Sequence, residues 1–239
     1  MENLVYPMRI NRYLAKRSFC SRREADVLIE KGIVTINGKK AVVGSKVDET
    51  DVVEVDTTVK DVIKKYEYFA YYKPMGVITH SPAPGQKSIQ QLTDIAADVF
   101  PVGRLDIASH GLIILTNDGR ITEKLLHPEY DHQKEYYVTV NKIVNNQFLK
   151  HMRRGIQLED FLTKECEVEK MDNDYMFRIV LTEGKKHQIR RMCTALGYEV
   201  VDLKRVRIMN IVMKKMREGQ KRKIAGEELT SFLKKLNLC

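Results

Sequence analysis

The sequence predicts an α+β protein with two domains: a small helix–helix–hairpin unit, and a larger domain on a mixed, largely antiparallel sheet. The first fifty residues carry a helix-capping signal followed by a hairpin turn. From Tyr68 onward, strand-like and helix-like runs are interspersed without the alternation of a parallel βαβ fold. A chain of 239 residues is long enough for both. We expect domains over 8–55 and 68–239, joined by a charged linker over 56–67.

The N-terminal unit has clear start, stop and turn signals. Ser21 and Glu24 have the spacing of a capping box, in which each residue satisfies a backbone N–H of the other. The helix that follows should end at Gly32, since glycine adopts the left-handed conformation of a helix C-terminus. Asn37-Gly38 separates a β-rich run from Lys39 to Val43, which predicts a hairpin. The helix should bury three apolar residues, Ala25, Leu28 and Ile29.

The larger domain shows four strand-like and four helix-like runs. The expected strands are Tyr68–Tyr72, Leu112–Leu115, Glu135–Val140 and Met176–Leu181. The expected helices are Ile121–Leu126, Asn146–Arg153, Gln188–Leu196 and Gly226–Leu238.

The charge distribution favours a nucleic-acid partner. The net charge is +9, and residues 8–23 contain six basic and no acidic residues. Residues 185–223 hold thirteen Lys and Arg against three acids. A solvated surface would explain either run alone. The absence of acidic residues from 8–23, however, favours contacts with phosphates. The candidate RNA-binding residues of the first run are Arg9, Arg12, Lys16, Arg22 and Arg23.

The sequence gives no sign of a metal site, a disulfide framework or a membrane segment. Its four cysteines lie far apart without a CxxC pair, and its histidines are scattered. The start of the chain lacks a signal-peptide pattern, and no apolar run approaches the roughly 20 residues of a membrane helix. A cytoplasmic location is expected.

The strongest chemical candidate is Asp106, in the loop Gly103-Arg104-Leu105-Asp106 before a buried strand. A carboxylate at the edge of a sheet can point into a cleft. Arg104 nearby could lower its pKa or hold a phosphate. Taken alone, Arg-x-Asp is more often a surface ion pair.

The longer pattern around this loop is more specific. The stretch from Phe100 to Gly119 resembles the catalytic signature of pseudouridine synthases in the branch of RsuA, RluB, RluE and RluF. The resemblance implies that Asp106 is the catalytic carboxylate. Lys134-Glu135-Tyr136 resembles the K-x-Y element, which implies that Tyr136 packs on the target base.

Further motifs of the same family occur in order along the chain. Tyr72-Lys73-Pro74-Met75-Gly76 resembles its K-P-x-G element, which makes Lys73 a candidate for RNA contact. Residues 184–192 resemble a late motif whose arginine, here Arg190, pairs with the catalytic aspartate. His187 and Gln188 in this motif either contact RNA or orient Arg190. The N-terminal unit resembles an S4 RNA-binding domain.

The resemblance implies isomerisation of a uridine in structured RNA, without a cofactor or a metal. Two stretches, 131–136 and 205–210, are most similar to the RluF subgroup, which implies a target in large-subunit ribosomal RNA, with tRNA as a second candidate. A G-E-W-R-like element near the C-terminus is absent, which leaves the exact target open. A monomer is expected.

Two alternatives remain open at this stage. A non-catalytic S4-type RNA-binding protein, such as a ribosome-assembly factor, would explain the basic regions equally well. A carboxylate hydrolase acting on a nucleoside or sugar would need a second acid near Asp106. Asp118 and Glu135 are the candidates for that second acid.

Overall fold

A computed structural model of the chain describes residues 5–58 and 65–238. The predicted linker over 56–67 therefore lies partly outside the described residues. The described residues form two compact units. The first comprises residues 5–58, 65–66, 118–121 and 238, and the second comprises 67–117 and 122–237. Within the described ranges, no helix is long and apolar enough to cross a membrane.

The first unit contains two helices and two small sheets in its described part. Its elements are β1 (Met8–Arg9), α1 (Ile10–Lys16), α2 (Arg22–Glu30), β2 (Val34–Ile36), β3 (Lys39–Lys40), β4 (Lys46–Val47) and β5 (Val53–Val55). Strand β1 pairs with β4, and β2 pairs with both β3 and β5. The helices pack on the sheets around a core that includes the predicted Ala25, Leu28 and Ile29.

The predicted local signals are confirmed in this unit. Ser21 N donates to the Glu24 carboxylate at 2.9 Å, and Glu24 N donates to Ser21 Oγ at 3.3 Å, which completes the capping box. Asn37 and Gly38 both have positive φ, as the tightest hairpin turn requires. The strand predicted to reach Val43 ends at Lys40, because the chain turns between Val42 and Ser45.

The remaining elements build a larger sheet with helices around it. The strands are β6 (Tyr68–Lys73), β7 (Phe100–Val102), β8 (His110–Thr116), β9 (Lys134–Val140), β10 (Glu167–Lys170), β11 (Met176–Leu181), β12 (Val200–Ile208), β13 (Ile211–Val212) and β14 (Lys221–Lys223). The helices are α3 (Ile89–Leu92), α4 (Arg120–Leu126), α5 (Asn146–Arg154), α6 (Gln188–Ala195) and α7 (Gly226–Lys235).

The strand order is β10-β11-β9-β12-β8-β6-β14, with β13 beside β12 and β7 beside β8. Among the described strands, β8 and β12 make the one parallel pair, and all other pairs are antiparallel. The α+β class with a mixed, mostly antiparallel sheet is confirmed. Helices α5 and α6 cover one face of β9, β11 and β12 through a core that includes Phe148, Met192 and Phe177.

Strand β12, at the centre of this sheet, was not predicted. Its buried positions include Leu203 and Ile208, but Arg205 is buried between them at 4% exposure. Charged residues at partly exposed positions, such as Lys204 and Arg207, complete a run that resembles a solvated basic surface. A buried arginine conceals the alternation by which a strand is usually recognised.

Gly111 allows β8 and β12 to approach closely. It pairs with Arg205 and has φ of +110°, a conformation that side chains with a Cβ rarely adopt. A Cβ at Gly111 would lie 2.3 Å from the backbone oxygen of Arg205. Glycine is therefore required here by both the backbone conformation and the space available.

We expect Gly111→Ala to lower the free energy of unfolding by about 3 kcal/mol, because it combines backbone strain with a backbone clash. Urea unfolding of the purified variant measures this. Gly219→Ala is the matched control, since Gly219 also has positive φ but has open space around its Cβ position. Equal losses in both variants would show that the close approach at Gly111 has no energetic consequence.

Candidate active site

Asp106 lies in the loop of residues 103–109, which links β7 to β8. The two strands pair in an antiparallel arrangement, from Phe100 with Thr116 to Val102 with Ile114, so the loop closes one end of this pair. Leu105 and Ser109 are buried on either side of Asp106, whose own side chain is 39% exposed. The carboxylate is therefore presented to solvent from an anchored loop.

Every backbone carbonyl of this loop accepts a hydrogen bond. Side chains of the neighbouring β6–α3 segment hold two of them: His80 Nε2 donates to Gly103 O at 3.2 Å, and Thr79 Oγ1 donates to Leu105 O at 3.0 Å. The backbone N–H groups of Ser109 and Gly76 bond to the carbonyls of Asp106 and Ile107. The other three carbonyls accept from cationic side chains: Lys73 bonds to Ser109 O, Arg190 to Ala108 O and Arg205 to Arg104 O.

Among the described residues, His187 is the side chain that lies within ion-pair distance of the Asp106 carboxylate. Its Nε2 lies 3.4 Å from Oδ1 of Asp106. His187 precedes α6 and has φ of +52°, in the left-handed region. Strain of this kind costs roughly 1–3 kcal/mol and is concentrated at functional sites. Its local conformation thus supports a role for His187 beside Asp106.

Arg190 does not form the expected ion pair with Asp106. One nitrogen, Nη2, donates to Ala108 O at 2.8 Å and to Ser109 Oγ at 3.3 Å, and Nη1 donates to Val200 O at 3.2 Å. Arg190 therefore holds the loop two and three residues beyond Asp106. The physical reason is that the directional N–H groups of Arg190 already bond to the loop and to the first residue of β12.

Lys73 and Gln188 are placed as supports rather than as RNA contacts. Lys73 is 0% exposed and its Nζ donates to Pro74 O and to Ser109 O. Gln188 is also buried and bridges Glu183 and the backbone N–H of Lys185. Neither side chain reaches the surface, which corrects the expectation that they bind RNA.

Burial changes the titration of Lys73. Loss of hydration lowers its pKa to about 8, Asp106 and Glu218 act in the opposite direction, and Arg205 lowers it further. Lys134 has a pKa lowered to about 8 by burial and by the same arginine. Three cations thus lie close together inside this end of the sheet.

Tyr136 lies in a cross-strand row of residues beneath the loop. The row runs through four adjacent strands, with Lys73 paired to Gly111, Gly111 to Arg205, and Arg205 to Tyr136. Tyr136 is half-buried and packs on the core that α6 helps to form. It is therefore on the face of the sheet that carries α6, with a part of its surface accessible.

The remaining predicted RNA-binding residues lie at the surface. Arg104 is exposed, and its side chain has no hydrogen bond or ion pair within the described residues. In the first unit, Lys16 is half-buried, and four arginines are exposed: Arg9, Arg12, Arg22 and Arg23.

The two acids considered for a hydrolase are engaged elsewhere. Glu135 pairs with Arg178 at 2.9 Å and with Arg207 at 2.7 Å. Burial raises its pKa, but these hydrogen bonds outweigh burial and lower it overall. Glu135 also precedes Tyr136 in β9 and therefore points to the opposite face. Asp118 makes a two-point ion pair with Arg120.

Sequence reasoning missed the donors Thr79, His80 and Arg205. Arg205 lay within the stretch 205–210 that resembles the RluF subgroup, but its basic neighbours suggested only a surface. Thr79 and His80 carry no signal of their own in a single sequence, because a hydroxyl or an imidazole in a loop has many uses.

Comparison with known proteins places this geometry in a family. Residues 67–195 match the family model described as RNA pseudouridylate synthase, and residues 8–53 match the S4 domain. A solved structure titled "Crystal structure of pseudouridylate synthase" has a TM-score of 0.69 and 28% identity, covering 96% of this chain and 99% of that chain.

Two curated relatives extend the match over nearly the whole chain. The dual-specificity RNA pseudouridine synthase RluF of Escherichia coli (strain K12) is 39% identical, covering 95% of this chain and 79% of the relative. The ribosomal large subunit pseudouridine synthase B of Bacillus subtilis (strain 168) is 35% identical, covering 92% and 93%. The chain therefore belongs to the RNA pseudouridylate synthase family and is an RNA pseudouridine synthase, an isomerase, with an N-terminal S4 RNA-binding domain.

Proposed function

We propose that this enzyme isomerises one uridine of large-subunit ribosomal RNA, with Asp106 as its catalytic carboxylate. The observation that carries the proposal is the half-exposed Asp106 side chain on a loop whose carbonyls are all hydrogen-bonded. Such anchoring fixes a reacting group before substrate binds, which is a main source of catalysis. The name of the Bacillus subtilis relative supports a large-subunit target. The dual-specificity name of the Escherichia coli relative keeps tRNA as a second candidate.

The reaction requires a carboxylate but no redox partner. The N1–C1′ bond of the uridine breaks, the base turns, and a C5–C1′ bond forms. The hydrogen on C5 is lost as a proton and N1 gains one, so substrate and product are isomers. At the ribose, Asp106 can serve as nucleophile, proton acceptor or charge stabiliser. Each role requires the ionised carboxylate, whose Oδ1 lies 3.4 Å from Nε2 of His187.

The target base must leave its stack to reach Asp106. Flipping costs a few kcal/mol, and least for a base in a loop or a mismatch. We propose that the base stacks on the accessible part of Tyr136, which could return about 1–3 kcal/mol. The guanidinium of Arg104 is exposed and has no partner among residues 5–58 and 65–238, and it would hold the adjacent phosphate. Arg190 would act by keeping the loop of residues 103–109 in place.

We expect Asp106→Asn to lower the rate of pseudouridine formation by about 100-fold or more, because the ionised group is lost. RNA from cells lacking the protein, complemented with the parent or the variant, is mapped by carbodiimide chemistry. Pseudouridine and uridine have equal mass, so a chemical label is needed.

Asp174→Asn is the control for the loss of one carboxylate. Asp174 is exposed and pairs with Lys170 in the β10–β11 hairpin. RNA binding and the melting temperature should match the parent in both variants. A site restored by Asp106→Asn as fully as by the parent would remove Asp106 from the chemistry.

Replacing Arg12, Arg22 and Arg23 together by Gln should weaken RNA binding and flatten its salt dependence. Each lost phosphate contact reduces the slope of log K against log salt by about 0.7–0.9. Filter binding or anisotropy over a salt series measures the slope.

The matched control removes the same charge from exposed residues outside the S4 domain, as Lys150→Gln, Lys234→Gln and Lys235→Gln. It should leave the slope nearly unchanged. Equal changes in both triple variants would mean that net charge, and not this surface, determines affinity.

The rate should fall as pH rises through about 8, because Lys73 loses its proton there. Below its pKa, Lys73 is a cation, which strengthens its bond to Ser109 O. Above its pKa, this strengthening is lost and the end of the loop is held less firmly. Single-turnover rates of the parent between pH 7 and 9.5 test this.

Lys73→Met should be slower and should lack the decline near pH 8. Lys134→Met is the control, since Lys134 titrates in the same range but bonds to His132 O, outside the loop. A decline that disappears in Lys134→Met and persists in Lys73→Met would assign it to Lys134 instead.

A further inference from the structure

Arg205 is a buried cation whose hydrogen bonding is incomplete. It is 4% exposed, and its Nη2 has no hydrogen-bond partner within the described residues. No carboxylate in those residues lies within ion-pair distance of its guanidinium. A buried charge with an unpaired donor is costly, more so than a neutral group of similar shape. Such a residue is expected where function requires it.

The contacts that Arg205 does make lie on both sides of Asp106. Its Nε donates to Leu112 O in β8 at 2.7 Å, and its Nη1 reaches Arg104 O at 3.5 Å. Asp106 lies between these two carbonyls in the chain. One planar guanidinium therefore spans the start of the loop and the strand that follows it.

Strand pairing fixes Arg205 itself. It pairs with Gly111 on one side and with Tyr136 on the other. The short distance that Gly111 allows places the backbone of Arg205 directly beside β8. Lys73 lies in the same row and holds the end of the loop at Ser109 O.

We propose that Arg205 is a positioning residue for the isomerisation, which sets the place of the Asp106 carboxylate by holding the loop from beneath. This inference rests on the proposed catalytic role of Asp106. Arg205 has almost no exposed surface, so it acts through the loop and not through RNA contact. It also provides the positive charge that Lys73 and Lys134 both experience.

The test uses the full-length enzyme with Arg205→Gln and Arg205→Lys, measured in single-turnover assays on the mapped RNA. Arg205→Gln should lower kcat by about 10- to 100-fold, because the carboxylate moves from its position. KM for RNA should stay within about twofold, because Arg205 makes no RNA contact. Arg205→Lys should recover part of kcat, because a lysine ammonium can bond to one of the two carbonyls but cannot bridge both as the planar guanidinium does.

The pH profile separates positioning from a merely structural role. The charges that face Lys73 are Asp106 in the loop, Arg205 in β12 and Glu218 before β14. Removing the Arg205 charge removes a repulsion, so the decline near pH 8 should move to higher pH in Arg205→Gln. It should stay in place in Arg205→Lys, which keeps the charge.

Arg178→Gln is the matched control. Arg178 lies in the same sheet and pairs with Glu135 on the opposite face, without contact to the loop. Its kcat and pH profile should match the parent even if its melting temperature falls.

The outcomes are distinct. If Asp106→Asn is as active as the parent, the proposed role of Asp106 fails and the inference fails with it. If the parent is active and Arg205→Gln keeps its kcat and pH profile, only the inference fails. If Arg205→Gln does not fold, Arg205→Lys decides: a kcat equal to that of the parent overturns the proposal, and a reduced kcat at unchanged KM supports it.

Discussion

The site depends on one constraint: the backbone carbonyls of residues 103–109 must be hydrogen-bonded although the loop lies in no strand or helix. A loop at the edge of a buried sheet cannot leave such groups unpaired without a cost in free energy. Donors from β6, α6, β12 and the segment after β6 provide the bonds. The hydrogen bonds that satisfy the loop backbone therefore also fix the position of Asp106. The same bonds stabilise the fold and hold this carboxylate in place.

The choice of donors has an electrostatic consequence. Neutral donors could also satisfy the carbonyls, but three of those used are cations: Lys73, Arg190 and Arg205. Lys73 and Arg205 are buried, and the Asp106 carboxylate interacts electrostatically with Lys73. Burial and the neighbouring Arg205 lower the pKa of Lys73, and the Asp106 carboxylate acts in the opposite direction. On the other face of the sheet, by contrast, the charge of Glu135 is balanced by ion pairs with Arg178 and Arg207.

Local signals in the sequence predicted what depends on local physics. The capping box at Ser21 and the turn at Asn37-Gly38 require no tertiary information, and both are present. The strands with apolar alternation were also found. Strand β12 was not, because its buried Arg205 is satisfied only by carbonyls some hundred positions away in the sequence. The partner of Arg190 was mispredicted for a related reason. The motif placed Arg190 near the loop of Asp106, but it could not show that the guanidinium bonds to Ala108 and Ser109 of that loop.

The parallel pairing of β8 with β12 brings a late part of the chain beside the strand that follows the loop of Asp106. It joins His110 to Lys204, so this part of the sheet is completed by β12 (Val200–Ile208). A growing polypeptide that has emerged only as far as α6 already contains Asp106, Tyr136 and Arg190, yet its loop still lacks the strand beneath it. Arg205, which bonds to the loop of Asp106, is therefore synthesised only after every residue proposed to carry the chemistry.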